Sequence, residues 1–488
     1  MGTIRQWFKN ARSLSLVQSL TPAILAVVMA AGYGGFSIFP ALCAVAGVAC
    51  AHLAMNLADD WFDYKSDMMG DRQRVIRKGF RAMTVKYPYL TDGSESLRSL
   101  GTAIASFSGA ACAFGAVVFA VRTSQNGFCS PQGSWWIVAI VCVTAFLGAF
   151  YSAPPLKLGF HGLGEIVIGV IFGPLLMMGV FYSAAGQMAA EIVWISVPVG
   201  LLVLNILYTH SLIEKAGDAE SGKMTLALLL GSDRAGLVMA YIVNLLPFVM
   251  IAVAVCLGAL HPLYLLSLAV LPRALWLCSS LRGFVSGHQE VPDRPAFWLG
   301  PMMKWGPVRE AGVDWFLMRW LTARNTLSGF CIMVSVAKVI LLIIMNPFGQ
   351  FIYLGCWWAR AVLGRRKPLQ SVIFISDRCN LSCKHCSVYN HTAPVDKSYA
   401  RIKEELEYCH SLGSRFIDFE GGEPFLWRDG DRTVNDLCRL ARSIGFFSCT
   451  ITTNAQMPFD GSVADSIWVS MDGIGEYHNR VRGNGAFE

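Results

Sequence analysis

Charged residues are scarce in this sequence. Only 15% of its 488 residues are Asp, Glu, Lys or Arg, whereas 54% are hydrophobic. Because soluble domains usually carry about 25% charged residues, this composition excludes a protein that is soluble along its whole length. The sequence also lacks a basic patch interleaved with aromatic residues, so the formal net charge of +7 does not indicate a nucleic-acid-binding protein.

Five long windows contain no Asp, Glu, Lys or Arg at all. Each is long enough for one or two membrane-spanning helices of about 20 residues. The first window follows three basic residues and resembles a signal peptide, but the continuing series of windows favours a retained helix. The sequence predicts nine spans, near residues 15–32, 37–58, 99–121, 135–151, 165–185, 192–213, 236–257, 261–280 and 326–346.

The distribution of Lys and Arg predicts which loops face the cytoplasm. These residues are concentrated in the N-terminal segment and in residues 59–98 and 281–325, whereas the 122–134 loop carries only Arg122. Since basic loops stay inside, we expect a multi-pass protein of the cell inner membrane with the basic loops on its cytoplasmic side. Nine spans would carry the chain outside, so residues 348–363 are predicted to cross once more or to form a short interfacial or re-entrant helix.

A first acidic segment follows the second predicted span. Its carboxylates Asp60, Asp63 and Asp67 recur at intervals of three and four residues, which places them on one face of a helix. Acidic residues at the end of a membrane helix need a partner. Their oxygen ligands suit Mg²⁺, and a solvated acidic loop is the alternative.

A second acidic pair follows the sixth predicted span. Glu214 and Asp218 are four residues apart, and Lys223 comes shortly after them. We expect both carboxylate sets to face one cavity at the cytoplasmic side. Lys223 is predicted to meet a diphosphate oxygen, or to act only as a lysine that holds its loop inside.

These segments together resemble the UbiA family of prenyltransferases, particularly its menaquinone branch. Residues 56–67 are similar to the family's first aspartate-rich motif, residues 214–226 to the second, and residues 151–165 to the segment after the fourth span. The family usually has Asn at the position of Asp59, Asp at that of Glu214, and Arg at that of Ile213.

The resemblance implies an all-α transmembrane helical bundle over residues 10–346. It also implies transfer of a polyprenyl group from its diphosphate to an aromatic, naphthoquinone-type acceptor such as 1,4-dihydroxy-2-naphthoate. Tyr151 is expected to line the cavity or contact the acceptor, or else only to anchor its helix at the interface. The implied Mg²⁺ ligands are Asp60, Asp63, Asp67, Glu214 and Asp218.

Two other functions stay open for this region. The departures at Glu214 and Ile213 are compatible with a degenerate UbiA-like membrane anchor for a radical SAM enzyme. Another reaction of the family, such as haem farnesylation or transfer to a sugar phosphate, is the second alternative.

The character of the sequence changes after a basic linker at residues 365–368. We assign residues 347–368 to an extra hydrophobic segment with this linker, and residues 369–488 to a second domain. Hydrophobic strands predicted at 372–376, 415–420, 447–453 and 467–471 alternate with helices predicted at 398–412 and 431–444. This alternation is typical of a parallel sheet or partial α/β barrel.

Three cysteines follow the first of these strands. Cys379, Cys383 and Cys386 have C-x3-C-x2-C spacing, and three thiolates from one loop can hold a [4Fe–4S] cluster with one open iron. A zinc site with His385 as the fourth ligand is the alternative. Many of the 15 cysteines lie in hydrophobic windows as packing residues, and this loop is expected in a reducing compartment.

The cysteine loop and the later strand ends resemble the radical SAM superfamily. Residues 419–424, 452–454 and 469–473 are similar to its glycine-rich and strand-end motifs. About four strand–helix units are present, fewer than the family usually has, so we expect an incomplete domain or a second chain that completes the barrel. The residues implied in binding the cluster and S-adenosylmethionine are Cys379, Cys383, Cys386, His385, Gly421, Gly422, Glu423, Asn454, Ser470 and Asp472.

Overall fold

The computed structural model describes residues 4–65, 87–220, 224–302, 305–345, 347–365, 367–386, 388 and 393–487. The chain divides into two compact units, Met1–Ile340 and Leu341–Glu488. We name the first the membrane unit and the second the C-terminal unit.

The membrane unit is a bundle of apolar helices. In the described part of the chain, eight helices are long and apolar enough to cross a membrane, and the shorter apolar helix Val17–Ala30 precedes them. The expected all-α bundle of a multi-pass membrane protein is therefore confirmed. The eight are Ile38–Lys65, Leu97–Asn126, Trp135–Ser152, Gly164–Ala185, Ala190–Ile213, Asp233–Cys256, Pro262–Val285 and the helix Asp314–Met345.

Short helices occupy the connections. The α-helical ones are Ile4–Asn10, Pro88–Thr91, Lys215–Glu220, Leu226–Leu229 and Trp305–Glu310. Single 3₁₀ turns are formed by Ser13–Leu16, Leu158–Phe160 and Phe297–Leu299.

Several long helices continue beyond the limits that the hydrophobic windows predict. The last one begins at Asp314 rather than near residue 326, because its early arginines are satisfied within the protein. Arg319 is 1% exposed, donates a hydrogen bond to the Trp315 carbonyl oxygen at 2.6 Å and lies over the Phe284 ring. A buried charge with such partners does not end a helix.

Glycines allow two of the helices to approach closely. A Cβ atom on Gly173 would lie 2.3 Å from the Cα atom of Gly200, and one on Gly169 would lie 2.9 Å from the Gly200 carbonyl oxygen. Small residues at such a crossing are a usual means of packing membrane helices without a hydrophobic driving force. This contact joins Gly164–Ala185 to Ala190–Ile213, the helix that carries Glu214 at its end.

A buried polar network holds the other end of that helix. Glu191 accepts hydrogen bonds from Tyr264 at 2.6 Å, from Tyr33 at 3.0 Å and from Lys338 at 2.8 Å. Since these donors come from three different segments, one carboxylate ties together the end of the bundle opposite to Glu214.

The C-terminal unit contains a four-stranded parallel sheet in the order β1-β2-β3-β4. The expected partial α/β barrel is confirmed in these strands. They are β1 Gln370–Ser376, β2 Phe416–Gly421, β3 Ser448–Thr453 and β4 Ser466–Val469, and the helices of the unit are Pro347–Val362, Tyr399–Ser411, Val434–Ile444 and Glu476–Arg482.

The two faces of this sheet differ in chemistry. Phe419 and Ile451 alternate with polar residues along their strands, and together with Ile373 they belong to one hydrophobic core with the helices Tyr399–Ser411 and Val434–Ile444. The intervening positions, such as Asp418, are on the other face, because successive side chains of a strand point in opposite directions.

Candidate functional site

The first acidic segment forms the last turns of the helix Ile38–Lys65. Asp60 and Asp63 are 1% and 2% exposed. Asp59 is more accessible, with a side chain that is 25% exposed. Burying a carboxylate is costly unless it is paired and hydrogen-bonded, so the surroundings of these residues carry the functional information.

Residues distant in sequence supply the partners of Asp59 and Asp60. Arg12 Nη2 lies 3.2 Å from Asp60 Oδ1 and 3.5 Å from Asp59 Oδ2. Tyr89 donates to Asp60 Oδ2 at 2.8 Å, and Ser152 donates to Asp59 Oδ1 at 2.9 Å. In the sequence, Arg12 is only part of the basic N-terminal segment, and no pattern assigns a role to Tyr89 or Ser152. The one sequence signal for these partners was that Arg12 is a basic residue just before the first predicted span.

The second acidic pair lies at the end of the helix Ala190–Ile213 and in the short helix that follows. Glu214 Oε2 is 3.4 Å from His210 Nδ1, and Asp218 is 1% exposed. The Asp218 amide donates to the Glu214 carbonyl oxygen at 2.9 Å. This helical turn places the two carboxylates on one face, as their spacing predicts.

Glu165 is a buried carboxylate outside the set of predicted site residues. It accepts a hydrogen bond from Ser211 at 2.7 Å and one from the Leu226 amide at 3.3 Å. Ser211 and Leu226 flank the second acidic pair, so Glu165 holds both ends of that motif. Its place in the Gly-Leu-Gly-Glu segment was the signal that could have identified it.

Tyr151 lies between the two acidic regions. The next residue, Ser152, donates to Asp59 at 2.9 Å, and Glu165 follows Gly164, which lies against the Tyr151 side chain. A Cβ atom on Gly164 would lie 3.3 Å from the Tyr151 hydroxyl, and one on Gly159 would lie 3.1 Å from its ring. Because these two glycines have no side chain, the Tyr151 ring fits beside the segment that carries Glu165.

Some predicted residues cannot be compared with the structure. Asp67 and Lys223 lie outside the described residues. Among the residues that are described, no group of three or more His, Cys, Asp and Glu side chains is arranged as a metal site. The Mg²⁺ ligand set thus stays a prediction.

The second candidate site is at the carboxyl end of the parallel sheet. Cys379 comes three residues after β1, and its sulfur accepts hydrogen bonds from the Leu381 amide at 3.5 Å and from Asn454 Nδ2 at 3.6 Å. The Cys386 amide donates to the Cys383 carbonyl oxygen at 3.2 Å, so these two cysteines share one turn. Burial raises the pKa of the Cys379 and Cys383 thiols, so thiolates here need a positive partner such as iron.

The Gly-Gly pair positions the cysteine loop through the backbone. A Cβ atom on Gly421 would lie 2.2 Å from the Ser376 carbonyl oxygen, and one on Gly422 would lie 2.2 Å from that of Arg378. Gly421 also has a φ of +150°, which favours glycine. The Gly422 amide donates to the Ser376 carbonyl oxygen at 2.8 Å. The end of β2 thus lies directly against the chain that leads into Cys379.

Glu423 stabilises this arrangement through hydrogen bonds. It is fully buried and accepts hydrogen bonds from the Phe425 amide at 3.1 Å, the Asn454 amide at 2.9 Å and the Thr453 hydroxyl at 2.9 Å. The carboxylate therefore joins the ends of β2 and β3. A role for Glu423 in holding S-adenosylmethionine stays a prediction.

The remaining predicted residues gather at the same edge. His385 Nε2 lies 3.6 Å from Asp472 Oδ1, and the Arg482 guanidinium also pairs with Asp472. The Ser470 amide donates to the Thr453 carbonyl oxygen at 2.9 Å. Arg482 was not predicted, since nothing in its local sequence connects it to the cysteine loop.

Two family models match separate parts of this chain. Residues 19–300 match the UbiA prenyltransferase family, and residues 373–488 match the radical SAM superfamily. The cluster and S-adenosylmethionine are cofactors that the second family implies.

Curated relatives resemble each region in turn. A 1,4-dihydroxy-2-naphthoate octaprenyltransferase of Bacillus subtilis is 23% identical over 286 residues, which cover 58% of this chain and 82% of the relative. The Escherichia coli protein of the same name is 26% identical and is covered over 70% of its length, with 47% of this chain. An AdoMet-dependent heme synthase of Oleidesulfovibrio alaskensis is 31% identical over 126 residues, 23% of this chain and 31% of that protein.

Solved structures also resemble this chain. A UbiA homolog from Archaeoglobus fulgidus bound to GPP and Mg²⁺ aligns with a TM-score of 0.40 and 13% identity, over 68% of this chain and 99% of that one.

Proposed function

Because the chain belongs to the UbiA prenyltransferase family and carries a radical SAM domain, we propose that its membrane unit moves a polyprenyl group from its diphosphate to a naphthoquinone-type aromatic acceptor. The observation that carries this proposal is the link between the two acidic motifs. Ser152, at the end of its helix, donates to Asp59, and the preceding Tyr151 lies against Gly164. Glu165, the next residue, holds the segment that contains Asp218.

The carboxylate chemistry at this end of the bundle fits Mg²⁺. Asp60, Asp63 and Asp218 are buried oxygen donors at the ends of membrane helices, where hard divalent cations are suitable partners. We propose that these residues hold the metal together with Glu214 and, from the sequence, Asp67. When bound, Mg²⁺ supplies charge neutralisation for the leaving diphosphate.

The chain's own residues have separate tasks in this proposal. Tyr89 and Ser152 orient the carboxylates of Asp60 and Asp59 through the hydrogen bonds described above. Arg12 contributes a fixed positive charge beside both carboxylates, which also suits the approach of a diphosphate. Tyr151 forms a wall between the motifs, where its ring face can stabilise positive charge on the allylic group.

We further propose that the acidic end of the bundle faces the cytoplasm at the cell inner membrane. Residues 59–98 and 281–325 both connect helices at this end, and both are rich in Lys and Arg. Basic connections of this kind stay inside.

For the C-terminal unit we propose radical chemistry on a precursor or product of the same pathway. Cys379, Cys383 and Cys386 would hold the cluster, which supplies the electron for reaction with S-adenosylmethionine. The supporting observation is that Cys383 and Cys386 share one turn and that Cys379 accepts a hydrogen bond from Asn454 at the edge where the strand-end motifs converge.

Purified full-length protein in lipid nanodiscs tests the prenyl-transfer proposal. Incubation with a polyprenyl diphosphate and 1,4-dihydroxy-2-naphthoate should release diphosphate and form a prenylated product by mass spectrometry, with Mg²⁺ but not with EDTA. The Asp63→Asn variant should lose this activity. Asp293→Asn is the matched control, since Asp293 is an exposed carboxylate that pairs only at the surface with Arg309.

The test also separates the alternatives. Diphosphate release without a naphthoate product would point to a different acceptor within the family. If Mg²⁺ produces no diphosphate release from any polyprenyl diphosphate, the membrane unit is an anchor for the radical SAM domain and the proposal is wrong.

A further inference from the structure

The helix Pro347–Val362, which we name the junction helix, has two faces of different kinds within the C-terminal unit. Phe351, Trp358 and Val362 are 74%, 66% and 67% exposed. At 100° per residue these three positions fall within a narrow stripe along the helix. The stripe is large, apolar and aromatic, which is unusual on a surface that faces water.

The opposite face is already occupied by the sheet. The Tyr353 hydroxyl donates to the Gly413 carbonyl oxygen, and its ring packs edge-on against Phe447 at 5.3 Å. The Arg415 guanidinium lies over the same ring, while Trp357 Nε1 donates to the Lys367 carbonyl oxygen at 2.8 Å. The junction helix is therefore fastened to the C-terminal unit along one side.

This attachment excludes a membrane-spanning helix. A helix in the bilayer core is surrounded by lipid or by other membrane segments, whereas one side of the junction helix covers the start of a hydrophilic α/β sheet. Its 16 residues would extend about 24 Å, less than the hydrocarbon core of about 30 Å.

Charge and continuity identify what covers the apolar stripe. The junction helix begins two residues after the helix Asp314–Met345, which is long and apolar enough to cross a membrane. At 100° per residue Arg360 lies opposite Phe351, and it lines a recess with Tyr353, Trp357 and Lys367 on the attached face. A helix with a large apolar face and a basic polar face is suited to the membrane interface.

We propose that the junction helix lies in the membrane interface, with Phe351, Trp358 and Val362 inserted among the lipids and the face that carries Tyr353 and Arg360 turned towards the C-terminal unit. An interfacial helix adds no crossing, so the number of crossings before residue 369 is set by the helices that precede it.

This placement has a consequence for the cysteine loop. The junction helix packs near Gly413, Arg415 and Phe447, which precede β2 and β3, so it covers the amino end of the sheet. The cysteine loop and Gly421 lie at the carboxyl end. Membrane attachment through the junction helix thus leaves the radical SAM site open towards water, and we infer that its substrate reaches it from the aqueous side.

Photocrosslinking of the full-length protein in nanodiscs tests the proposal. A benzophenone amino acid replaces Phe351 or Trp358 on the apolar stripe, Tyr353 on the attached face, or Tyr477, which is 72% exposed at the carboxyl end of the sheet. After irradiation, mass spectrometry should find lipid adducts at positions 351 and 358, in about tenfold excess over positions 353 and 477.

A folding control accompanies every variant. Retained visible absorbance of the iron–sulfur cluster would show that the C-terminal unit still folds in each variant.

Three outcomes would overturn the proposal. Equal lipid adducts at positions 351, 353 and 358 would mean that lipid surrounds the helix, as in a span. Adducts to a second copy of the chain would mean that the stripe is a protein interface. Absence of lipid adducts at 351 and 358, with the cluster intact, would mean that the stripe faces water.

Discussion

The two candidate sites are assembled in different ways. In the C-terminal unit, each predicted residue lies at the end of a strand or in the loop after it, and parallel strands carry those residues to one edge of the sheet. In the membrane unit, the partners of one carboxylate come from far along the chain: Arg12 and Tyr89 are 48 and 29 residues from Asp60. The comparison shows that a motif at a strand end also indicates where its residues lie in the fold. A motif on a membrane helix indicates which residues share a helix face, but not which other segments supply their partners.

The two sites also differ in the unfavourable interactions that their folding must offset. The membrane site buries carboxylates and offsets their desolvation with Arg12, Tyr89 and Ser152. The cysteine site depends on the close approach of two backbone segments at Gly421 and Gly422. One site is therefore sensitive to changes of charge, and the other to changes of volume.

The largest expected effect is the loss of function at one site while the other site is unaffected. Cys379→Ser should abolish cluster binding, because one of three thiolate ligands is lost, yet leave prenyl transfer unchanged. Asp63→Asn should lower prenyl transfer by about a hundredfold or more and leave the cluster unchanged. Iron content and product formation, measured on the same preparations, check both. A variant that impairs both activities would contradict the independence of the sites.

A smaller but still large effect is expected from Gly422→Ala. The added Cβ would lie 2.2 Å from the Arg378 carbonyl oxygen, so the cysteine loop must move at a cost of more than about 2 kcal/mol. Iron content should fall sharply and pulse proteolysis should detect a less stable C-terminal unit. Gly461→Ala is the control, because nothing lies within 4 Å of its added Cβ, and an equal loss in both variants would refute this explanation.

Arg12→Gln tests the charge sensitivity of the membrane site. The substitution removes the cation beside Asp59 and Asp60, although Tyr89 still donates to Asp60. Since Arg12 is partly exposed, we expect a loss of about 1–2 kcal/mol, or roughly tenfold in kcat/KM. Arg12→Lys should recover part of the activity, and Lys9→Gln should have none of the effect. Full activity of Arg12→Gln would show that the ion pair is only structural.

The smallest expected effect concerns Asp418 on the polar face of the sheet. Burial raises its pKa from the ordinary value of 3.8 to about 6, although a hydrogen bond from Thr452 opposes the shift. The neutral form is therefore favoured in the folded unit. Its contribution to stability is present below pH 4 and is lost as the pH rises through about 6.

Asp418→Asn should remove this pH dependence and stabilise the C-terminal unit at pH 7 by about 1 kcal/mol after solvent screening is allowed for. Pulse proteolysis in urea at pH 5 and pH 7 measures the difference. Thr450→Val is a comparison on the neighbouring strand that adds no titrating group. A steeper pH dependence in Asp418→Asn than in the unsubstituted protein would contradict the assignment.

Much of the architecture could be predicted from local patterns. Hydrophobic windows located the membrane helices, and the alternation of strands and helices located the sheet. The errors are at helix ends that contain charges: the second predicted span stops near residue 58, whereas the helix continues to Lys65. Hydropathy treats a charge as the end of a span, but a paired or buried charge continues the helix.

For the candidate sites, the sequence predicted the motif residues but not the residues that surround them. The motif residues themselves were recognisable, including Asp63, Glu214 and Cys379. Arg12, Tyr89 and Glu165 were not assigned, because their roles depend on which helices are neighbours. Arg122 shows the same limit: the sequence presents it as the one cation of its loop, and the structure shows it donating to the carbonyl oxygens of Ser183 and Ala184.

The sequence by itself determined that this chain is a membrane helix bundle followed by an α/β domain, and which motifs each part carries. These properties follow from the period and length of apolar runs, which are local. Only the tertiary structure decided that Arg12 and Tyr89 serve Asp60, that Gly422 meets the chain before Cys379, and which face of the junction helix stays uncovered. Those choices depend on contacts between residues distant in sequence, because a buried polar group takes whichever partner the packing brings within reach.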